Sequence, residues 1–312
     1  MGRRHLRKKK AGMKTFLFGW IAAVPLAPLA GRGYYGHGRF SRTVKSGGLG
    51  LSIARSALAG LVVTLALIGT GTRPACAQEA TGPGQPQFFV TPYLWLSGVY
   101  ATTATPLARA PEVNSSVGPF ELLGDLSGAP FMGSAEIHDG PFSLLGDVLH
   151  VPVSTNITTR NVFFQGGNAA LQANTGTALL LYRVLDMPGQ FADLGGGFRA
   201  WGFSANVTLN PGTLSGQSVN RSSSWGDPLL AGRYHYDFNN GFGLSAYGDL
   251  GGFGVGAHTD WQLIGTVDYA INSWIDLHLG YRSLNFNYSA SNSNLGFDVH
   301  MRGPIFAGTF KF

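Results

Sequence analysis

One pair of side chains has the types and spacing needed for acid–base chemistry, namely His258 and Asp260. Residues two apart on an extended strand share a face, and an imidazole beside a carboxylate is a common general acid–base arrangement. Such pairs also occur on solvated loops, where the spacing alone defines no geometry. We therefore expect a protein that is not an enzyme. As an alternative, His258 and Asp260 would be the catalytic residues of a hydrolase acting on lipid or peptide at the rim of a barrel.

The other residues with ligand chemistry form no recognisable cofactor or metal motif. Six of the eight histidines follow residue 77, and their spacing matches no metal-binding pattern. Glycine runs at 195–197 and 251–252 interrupt alternating segments, where glycine permits bending or close packing rather than phosphate binding. We expect no metal and no cofactor.

The net charge of +6 comes from the first part of the chain. Residues 1–77 contain 13 of the 22 Lys and Arg residues and no Asp or Glu. Residues 78–312 therefore carry nine basic and 16 acidic side chains, a net charge of −7. An acidic balance disfavours nucleic-acid binding, so we expect no nucleic-acid partner.

Charged residues recur on the polar phase of segments that alternate polar and apolar side chains. This alternation is typical of barrel strands with one face on lipid and the other towards the lumen. An Arg or Lys on the lipid face would cost about 2–4 kcal/mol at the midplane, which assigns the charges to the interior. We favour an ion-pair network that fills the lumen, and a polar permeation path is the alternative. The predicted lumen residues are Glu136, Asp147, Arg183, Asp193, Arg199, Arg233, Asp237, Asp249, Asp268, Asp276 and Arg282.

Turn signals divide the chain into strands. Tight reversals at 139–140, 186–189, 239–241 and 271–273 alternate with longer polar links, as in bacterial membrane barrels. Backbone amides in a bilayer must be paired internally, so alternating strands must close on themselves. We predict an all-β, up-and-down antiparallel transmembrane β-barrel of ten strands, with eight strands as the second choice. The predicted strands are 87–101, 130–138, 142–154, 170–185, 191–205, 225–238, 242–255, 259–270, 274–288 and 296–312.

The last segment ends in an aromatic row of Phe306, Phe310 and Phe312, with Lys311 on the opposite phase. A terminal strand that ends in Phe resembles that of bacterial outer-membrane barrels, where the insertion machinery reads it as a signal. The row itself predicts a lipid-facing strand. Because proline lacks an N–H, we also predict a bulge at 303–304 that switches the faces of this strand.

Aromatic residues and one helical pattern mark the ends of the strands. Two belts at the membrane interfaces are predicted from rings near the strand ends. Residues 120–126 have the apolar spacing of one to two helical turns, which predicts a short helix at the mouth or the interface, or else ordinary loop packing. The belt near the tight turns comprises Phe142, Phe191, Phe238, Phe242, Tyr269 and Trp274, with Phe310 and Phe312, and the far belt comprises Tyr100, Trp225, Trp261 and Tyr288.

The first 77 residues contain an export signal. Arg55 precedes an apolar run at 57–68, and small residues at Ala75 and Ala77 complete a secretory cleavage site after Ala77. We predict two regions, an N-terminal extension with a cleaved signal peptide (1–77) and the barrel (78–312). Lipidation of Cys76 is an alternative. An earlier apolar run at 16–30 suggests that the true start lies downstream, near residue 44.

Short motifs across residues 87–312 resemble a family of small bacterial outer-membrane barrels, described as surface antigens or OmpA-like transmembrane barrels. The matching stretches are FVTPYLWLSG (89–98), LGD (145–147), WGDPL (225–229) with GRY (232–234), GDLGGFG (248–254), GYR (280–282) and the segment from 303 to 312.

The resemblance implies an outer-membrane location in a Gram-negative bacterium. It also implies contact with outer-membrane lipids and lipopolysaccharide, and assembly by the barrel-insertion machinery. The family suggests no shared chemistry. We expect a non-enzymatic envelope protein, either structural and surface-exposed or a narrow porin-like passage for small solutes.

Overall fold

The computed structural model describes residues 85–104, 113–157, 164–289 and 296–312. The predicted signal peptide and its cleavage site at Ala77 lie outside these residues. Within the described ranges, no helix is long and apolar enough to cross a membrane. The elements are β1 (Gln87–Trp95), β2 (Gly98–Ala104), β3 (Val113–Val117), α1 (Pro119–Gly124), β4 (Phe131–Asp139), β5 (Phe142–Ile157), β6 (Phe164–Met187), β7 (Gln190–Pro211), β8 (Gln217–Asp237), β9 (Phe242–Gly252), β10 (Thr259–Asn272), β11 (Ile275–Ser289) and β12 (Gly296–Lys311).

The strands close into an antiparallel barrel. Neighbouring strands from β4 to β12 pair in sequence order, β1 pairs with β4, and the β1–β12 pairing completes the ring. Strand β2 continues β1 along the same partner β12, and β3 pairs beside β2 at one end. Counting β1 and β2 as one barrel strand gives ten strands, which confirms the predicted fold class and strand number.

The tight turns lie at one end of the barrel, which we call the turn end, and the longer links lie at the opposite loop end. Gly140, Gly189 and Gly241 adopt φ values of 56°, 76° and 84° at the turn end. Only glycine adopts such values without steric cost, which explains why these short reversals contain it.

Side chains alternate sharply between the two faces of the wall. On β8, Leu229 is 3% exposed while its neighbour Leu230 is 64% exposed. The same alternation exposes leucines on the outer face of several other strands and buries Arg199 and Arg282 inside. The outer face is therefore apolar, and the charges point into the lumen, as the alternation predicts.

Three strands extend further than predicted at the loop end. Among the described residues, the stretches left between predicted strands at 155–169 and 206–224 are largely strand, because β6 starts at Phe164, β7 runs to Pro211 and β8 starts at Gln217. In their outer parts Ala169, Leu171, Ala205 and Val207 are buried on the inner face, while Asn168 and Thr208 are exposed on the other, so the apolar face is reversed there. The strand ends predicted from hydropathy periodicity therefore lie too close to the turn end.

The predicted bulge at 303–304 is wrong. Strand β12 keeps one register with β11 through Gly303 and Pro304, and its pairing with β1 and β2 continues on the other side. Leu96 N donates to Pro304 O at 3.0 Å, but proline has no N–H to return the bond. This missing bond separates β1 from β2 without switching the faces. Phe306 and Phe312 are exposed on the outer face and Phe310 is half-buried, in agreement with the predicted terminal row.

The aromatic belts are correct in part. Near the turn end, Phe142, Phe238, Phe242 and Tyr269 are exposed on the outer face, Trp274 is exposed in the β10–β11 turn, and Tyr100 is exposed near the loop end. Phe191, Trp225 and Tyr288 instead point into the lumen, where Phe191 stacks with His235 and Trp225 stacks with Tyr288. Distance from a turn does not decide the face of a ring. Its phase along the strand does, and Trp225 shares the phase of the inward-facing Arg233.

Helix α1 confirms the predicted short helix in the first long link. It lies at the loop end of the barrel, where Leu122 packs against the buried residues Val117 and Val153 and Phe120 is 79% exposed. After the helix, Asp125 O accepts a hydrogen bond from Ser154 N at 2.8 Å, which ties the link to β5. The helix therefore covers part of the lumen at the loop end.

The facing of β8 can be tested with single cysteines in a Cys76→Ser background, since the chain has only one cysteine. We expect Leu230→Cys to react with an apolar maleimide in detergent and Leu229→Cys to remain unmodified, as judged by mass spectrometry. Faster modification at position 229 would show that the strand is shifted by one residue.

Candidate functional site in the barrel interior

Two cavities lie in the barrel interior, and buried ion pairs separate them. The turn-end chamber has a volume of about 660 Å³ and is lined by charged and polar side chains, including Glu136, Arg233, Asp268 and His278. The loop-end chamber has a volume of about 80 Å³ and is lined mainly by aromatic and aliphatic side chains. Between them lies a central layer formed by Arg199, Arg282 and the residues that bind these two guanidinium groups.

Arg199 of β7 forms the first half of the central layer. Its Nη1 lies 2.5 Å from Asp260 Oδ1 on β10, and its Nη2 lies 2.6 Å from Asp249 Oδ2 on β9. Its Nε donates to Thr177 Oγ1 on β6 at 3.1 Å. Arg199 is 1% exposed, so this network holds a full positive charge out of water. Each of its nitrogens is matched by an acceptor, which such burial requires.

Arg282 of β11 forms the second half. Its Nε donates to Gln262 Oε1 at 2.9 Å and its Nη1 to Tyr93 Oη at 2.8 Å. Its Nη2 lies 3.4 Å from Asp147 Oδ1 on β5, four strands away around the ring. The contact therefore crosses the lumen. The guanidinium also lies over the ring of Trp95, 4.8 Å from its centroid.

One amide joins the two halves of the layer. Gln262 Nε2 lies 3.4 Å from Asp249 Oδ2, while Gln262 Oε1 accepts from Arg282. Tyr247 Oη donates to the same Asp249 oxygen at 2.6 Å. The central layer is thus one continuous polar network that links opposite walls of the barrel.

A second ion-pair group lines the turn-end chamber. Arg233 of β8 binds Glu136 of β4 through two bonds of 2.6 Å each, and these strands are also four apart around the ring. Its Nε donates to Asp193 at 2.7 Å, and Arg183 binds the same carboxylate at 2.8 Å. Bidentate arginine–carboxylate pairs are strong and directional, so this group holds two walls together.

Asp268 organises a third polar group in the same chamber. His278 Nδ1 lies 2.7 Å from Asp268 Oδ1, and His278 Nε2 lies 2.8 Å from Thr309 Oγ1. Ser245 Oγ donates to the other carboxylate oxygen at 2.5 Å. A line of carboxylate, imidazole and hydroxyl has the order of groups used in nucleophilic hydrolases. It also satisfies the hydrogen-bonding groups of a narrow lumen.

All the predicted lumen charges except Asp237 lie on the inward face of the barrel wall. Asp276 pairs with Lys311 at 2.7 Å, and the others belong to the three groups described above. Asp237 lies at the β8–β9 turn, where its Oδ1 accepts from Asn239 N at 2.7 Å. It therefore stabilises the turn instead of joining the lumen network.

The sequence interpretation missed Asp227 as an interior residue. Asp227 is fully buried, and its two oxygens accept from Ala257 N at 2.6 Å and from Trp225 Nε1 at 3.0 Å. It anchors the β9–β10 connection to β8. The signal was present in the sequence, because Asp227 shares the phase of Arg233.

The candidate catalytic pair is divided between two environments. Asp260 is fully buried and binds Arg199 and the Nε1 of Trp201, the latter at 2.9 Å. His258 is exposed at the loop end, and its backbone N donates to Asn287 O at 2.7 Å. Within the described residues, no group of three or more His, Cys, Asp or Glu side chains could hold a metal ion.

Five rings form a cluster beside the loop-end chamber, and three of them, Phe203, Trp225 and Phe286, line it. Trp201, Phe203, Trp225, Phe286 and Tyr288 contact one another with centroid distances from 4.1 to 5.9 Å. We call them the aromatic wall. Trp201 and Trp225 donate their indole N–H groups to buried aspartates, whereas the Nε1 of Trp95 is buried without a hydrogen-bond partner among the described residues.

No protein-family model matches the chain, and no curated protein matches it by sequence. Solved structures with a similar fold include the outer membrane protease OmpT of Escherichia coli, with 9% identity, 76% of this chain and 99% of that chain covered, and a TM-score of 0.41. The toluene transporter TodX of P. putida has 8% identity, with 74% and 90% covered and a TM-score of 0.32. Neisserial surface protein A has 13% identity, with 72% and 97% covered and a TM-score of 0.28.

Removing Arg199 would leave Asp249 and Asp260 buried without their cation. We expect Arg199→Met to lower the free energy of unfolding by about 3–5 kcal/mol, measured by urea unfolding in lipid vesicles. The triple variant Arg199→Met, Asp249→Asn, Asp260→Asn should recover much of this loss, and Arg221→Met, at an exposed position, should change little. An Arg199→Met protein as stable as the wild type would contradict the buried-charge interpretation.

Proposed function

We propose that the protein is a non-enzymatic, integral outer-membrane β-barrel of a Gram-negative bacterium. In this proposal its lumen is closed to ions and its role is structural, with a surface-exposed loop end. The single observation that carries the closed lumen is the central layer, in which Arg199 and Arg282 are 1% and 2% exposed.

The outer face of the barrel supports membrane insertion. Leu144, Leu230, Leu263 and Tyr281 are among many large apolar side chains that are more than half exposed there. A continuous apolar surface of this kind is unfavourable in water, at about 25 cal/mol per Å², and is matched by hydrocarbon. The exposed rings at the turn end suit a membrane interface. By this proposal, the partners are outer-membrane lipids and lipopolysaccharide, and the insertion machinery reads the terminal Phe306, Phe310 and Phe312.

The orientation follows from the lengths of the connections. Short turns face the periplasm and longer links face outward in bacterial barrels. By this rule the turn-end chamber opens towards the periplasm, and the long hairpins of β6, β7 and β8 project from the cell surface. Their exposed polar residues support a surface-exposed role.

Ion pairs that cross the lumen support a plug rather than a pore. A hydrated ion would have to separate Arg282 from Asp147 and Arg199 from Asp249 and Asp260, which leaves buried charges unpaired. Breaking one such buried pair costs about 3–5 kcal/mol. Beyond the layer, the ion would meet the aromatic wall, which offers no replacement for its hydration shell.

A second candidate function, hydrolysis, rests on one observation. Asp268, His278 and Thr309 form a hydrogen-bonded line beside the turn-end chamber, with separations of 2.7 and 2.8 Å. This line is a better candidate than His258 and Asp260, because Asp260 already binds Arg199 and Trp201. The substrate would then enter from the turn end.

Planar-bilayer recordings test the closed lumen. We expect wild-type protein to give no steady conductance, and Arg282→Ala combined with Asp147→Ala to open a measurable path between the chambers. Arg221→Ala is the matched control outside the lumen network and should behave as the wild type. A steady, ohmic wild-type conductance would instead favour the passive pore.

Hydrolysis assays with chromogenic esters, lipid A and peptides separate the two candidate functions. We expect no turnover by the wild type above the rate in buffer. Turnover that is lost in His278→Gln but kept in His258→Ala would establish the line beside the turn-end chamber as catalytic. Loss in His258→Ala alone would establish the rim pair.

A further inference from the structure

The loop-end chamber has the lining of a binding site for an apolar molecule. It is lined by Trp95, Leu149, Phe203, Trp225 and Phe286, together with other aliphatic residues. Among the described lining residues, Ser97 alone carries a hydroxyl group and none is charged. This apolar lining differs from the charged and polar lining of the turn-end chamber, a few residues away on the same strands. The two halves of the lumen therefore suit different molecules.

One residue of the chamber lining, Trp95, has an unused hydrogen-bond donor. Trp95 is 3% exposed, and its Nε1 has no acceptor among the described residues. By contrast, Trp225 in the chamber lining donates to Asp227 at 3.0 Å, and Trp201, whose ring stacks with that of Trp225, donates to Asp260 at 2.9 Å. A buried donor without a partner costs about 1–3 kcal/mol. Trp95 lines the cavity, so an acceptor on a bound molecule that reaches this N–H would remove the cost.

The surrounding charges select against a charged ligand. The nearest ionised groups, Arg282, Asp227 and Asp260, are already bound to protein partners. A carboxylate or ammonium group in the chamber would lose its hydration without gaining a counter-charge, which is strongly unfavourable. A neutral molecule with one acceptor meets no such penalty.

The volume limits the size of the ligand. At about 10–15 Å³ for each water-sized group, the 80 Å³ of the chamber holds about five to eight such groups. This corresponds to a short alkyl chain or a single ring with one oxygen atom.

The part of the barrel wall next to this chamber is short along the barrel axis. Strand β8 starts at Gln217, but within the described residues its pairing with β9 covers only Leu229 to Asp237. The β9–β10 connection carries Phe253 and Val255, which are 55% and 71% exposed. An apolar molecule at the outer surface therefore meets an apolar rim beside the aromatic wall.

We infer that the loop-end chamber binds a neutral, mainly apolar small molecule, such as a short ketone, alcohol or ester, whose oxygen accepts a hydrogen bond from Trp95 Nε1. The apolar part of the molecule lies against the aromatic wall. This inference goes beyond the proposed function, because binding does not require conduction through the central layer.

Calorimetric titration of the full protein in lipid nanodiscs tests the inference with 2-heptanone, heptane and heptanoate as probes, after subtraction of their binding to empty nanodiscs. We expect saturable binding of 2-heptanone that is about tenfold tighter than that of heptane, from the added hydrogen bond. Heptanoate should not bind. In nitrogen-15 spectra, 2-heptanone should shift one indole N–H signal, and this signal should be missing in Trp95→Phe.

Two variants separate the hydrogen bond from the cavity. Trp95→Phe keeps an aromatic ring and should bind 2-heptanone no more tightly than heptane. Ala173→Leu, which places a larger side chain in the chamber lining, should weaken the binding of both. Absence of saturable 2-heptanone binding to the wild type, equal binding of heptanoate, or an unchanged preference for the ketone in Trp95→Phe would each overturn the inference. Because the wild-type comparison needs no variant, the test does not depend on how the variants fold.

Discussion

A charged side chain on a barrel strand can face either hydrocarbon or the lumen, and only the lumen is energetically favourable. Towards hydrocarbon it is unpaired, whereas in the lumen it can meet an opposite charge from another strand. Arg233 and Arg282 each bind a carboxylate four strands away around the ring. These contacts connect opposite walls, so the same interactions that neutralise the charges also close the lumen and fix the barrel in one cross-section.

The position of the ion pairs along the axis gives the barrel two different halves. On the turn-end side, Asp193, Asp268 and their arginine and histidine partners surround a polar cavity. On the loop-end side, the same inward phase of β7, β8 and β11 carries Trp201, Trp225 and Phe286. Trp95 lies at the boundary, with the Arg282 guanidinium over its ring and the loop-end chamber beside it. A uniform polar pore would need one kind of lining along its length, and this barrel has two.

Several errors of the sequence interpretation have one origin. The hydropathy period of a strand reflects what surrounds its two faces, and it does not show where the strand ends. Strands β6 and β7 run on beyond the apolar outer face, and there the apolar side chains Ala169, Leu171, Ala205 and Val207 are buried on the inner face instead. Trp225 and Tyr288 were assigned to an interface from their distance to the turns, although their phase places them inside. Pro304 suggested a bulge, but the neighbouring strands keep their register and only one hydrogen bond is lost.

The sequence by itself determined the all-β class, the ten barrel strands, the tight turns and the inward phase of nearly all the charged residues, because these depend on a two-residue period and on local turn chemistry. The tertiary structure alone decided which charges meet, that Asp260 binds Arg199, and that Trp95, unlike Trp201 and Trp225, has an unused N–H group. Contacts across the lumen join residues far apart in the chain. They depend on strand register and on closure of the ring, and no local pattern encodes either of these.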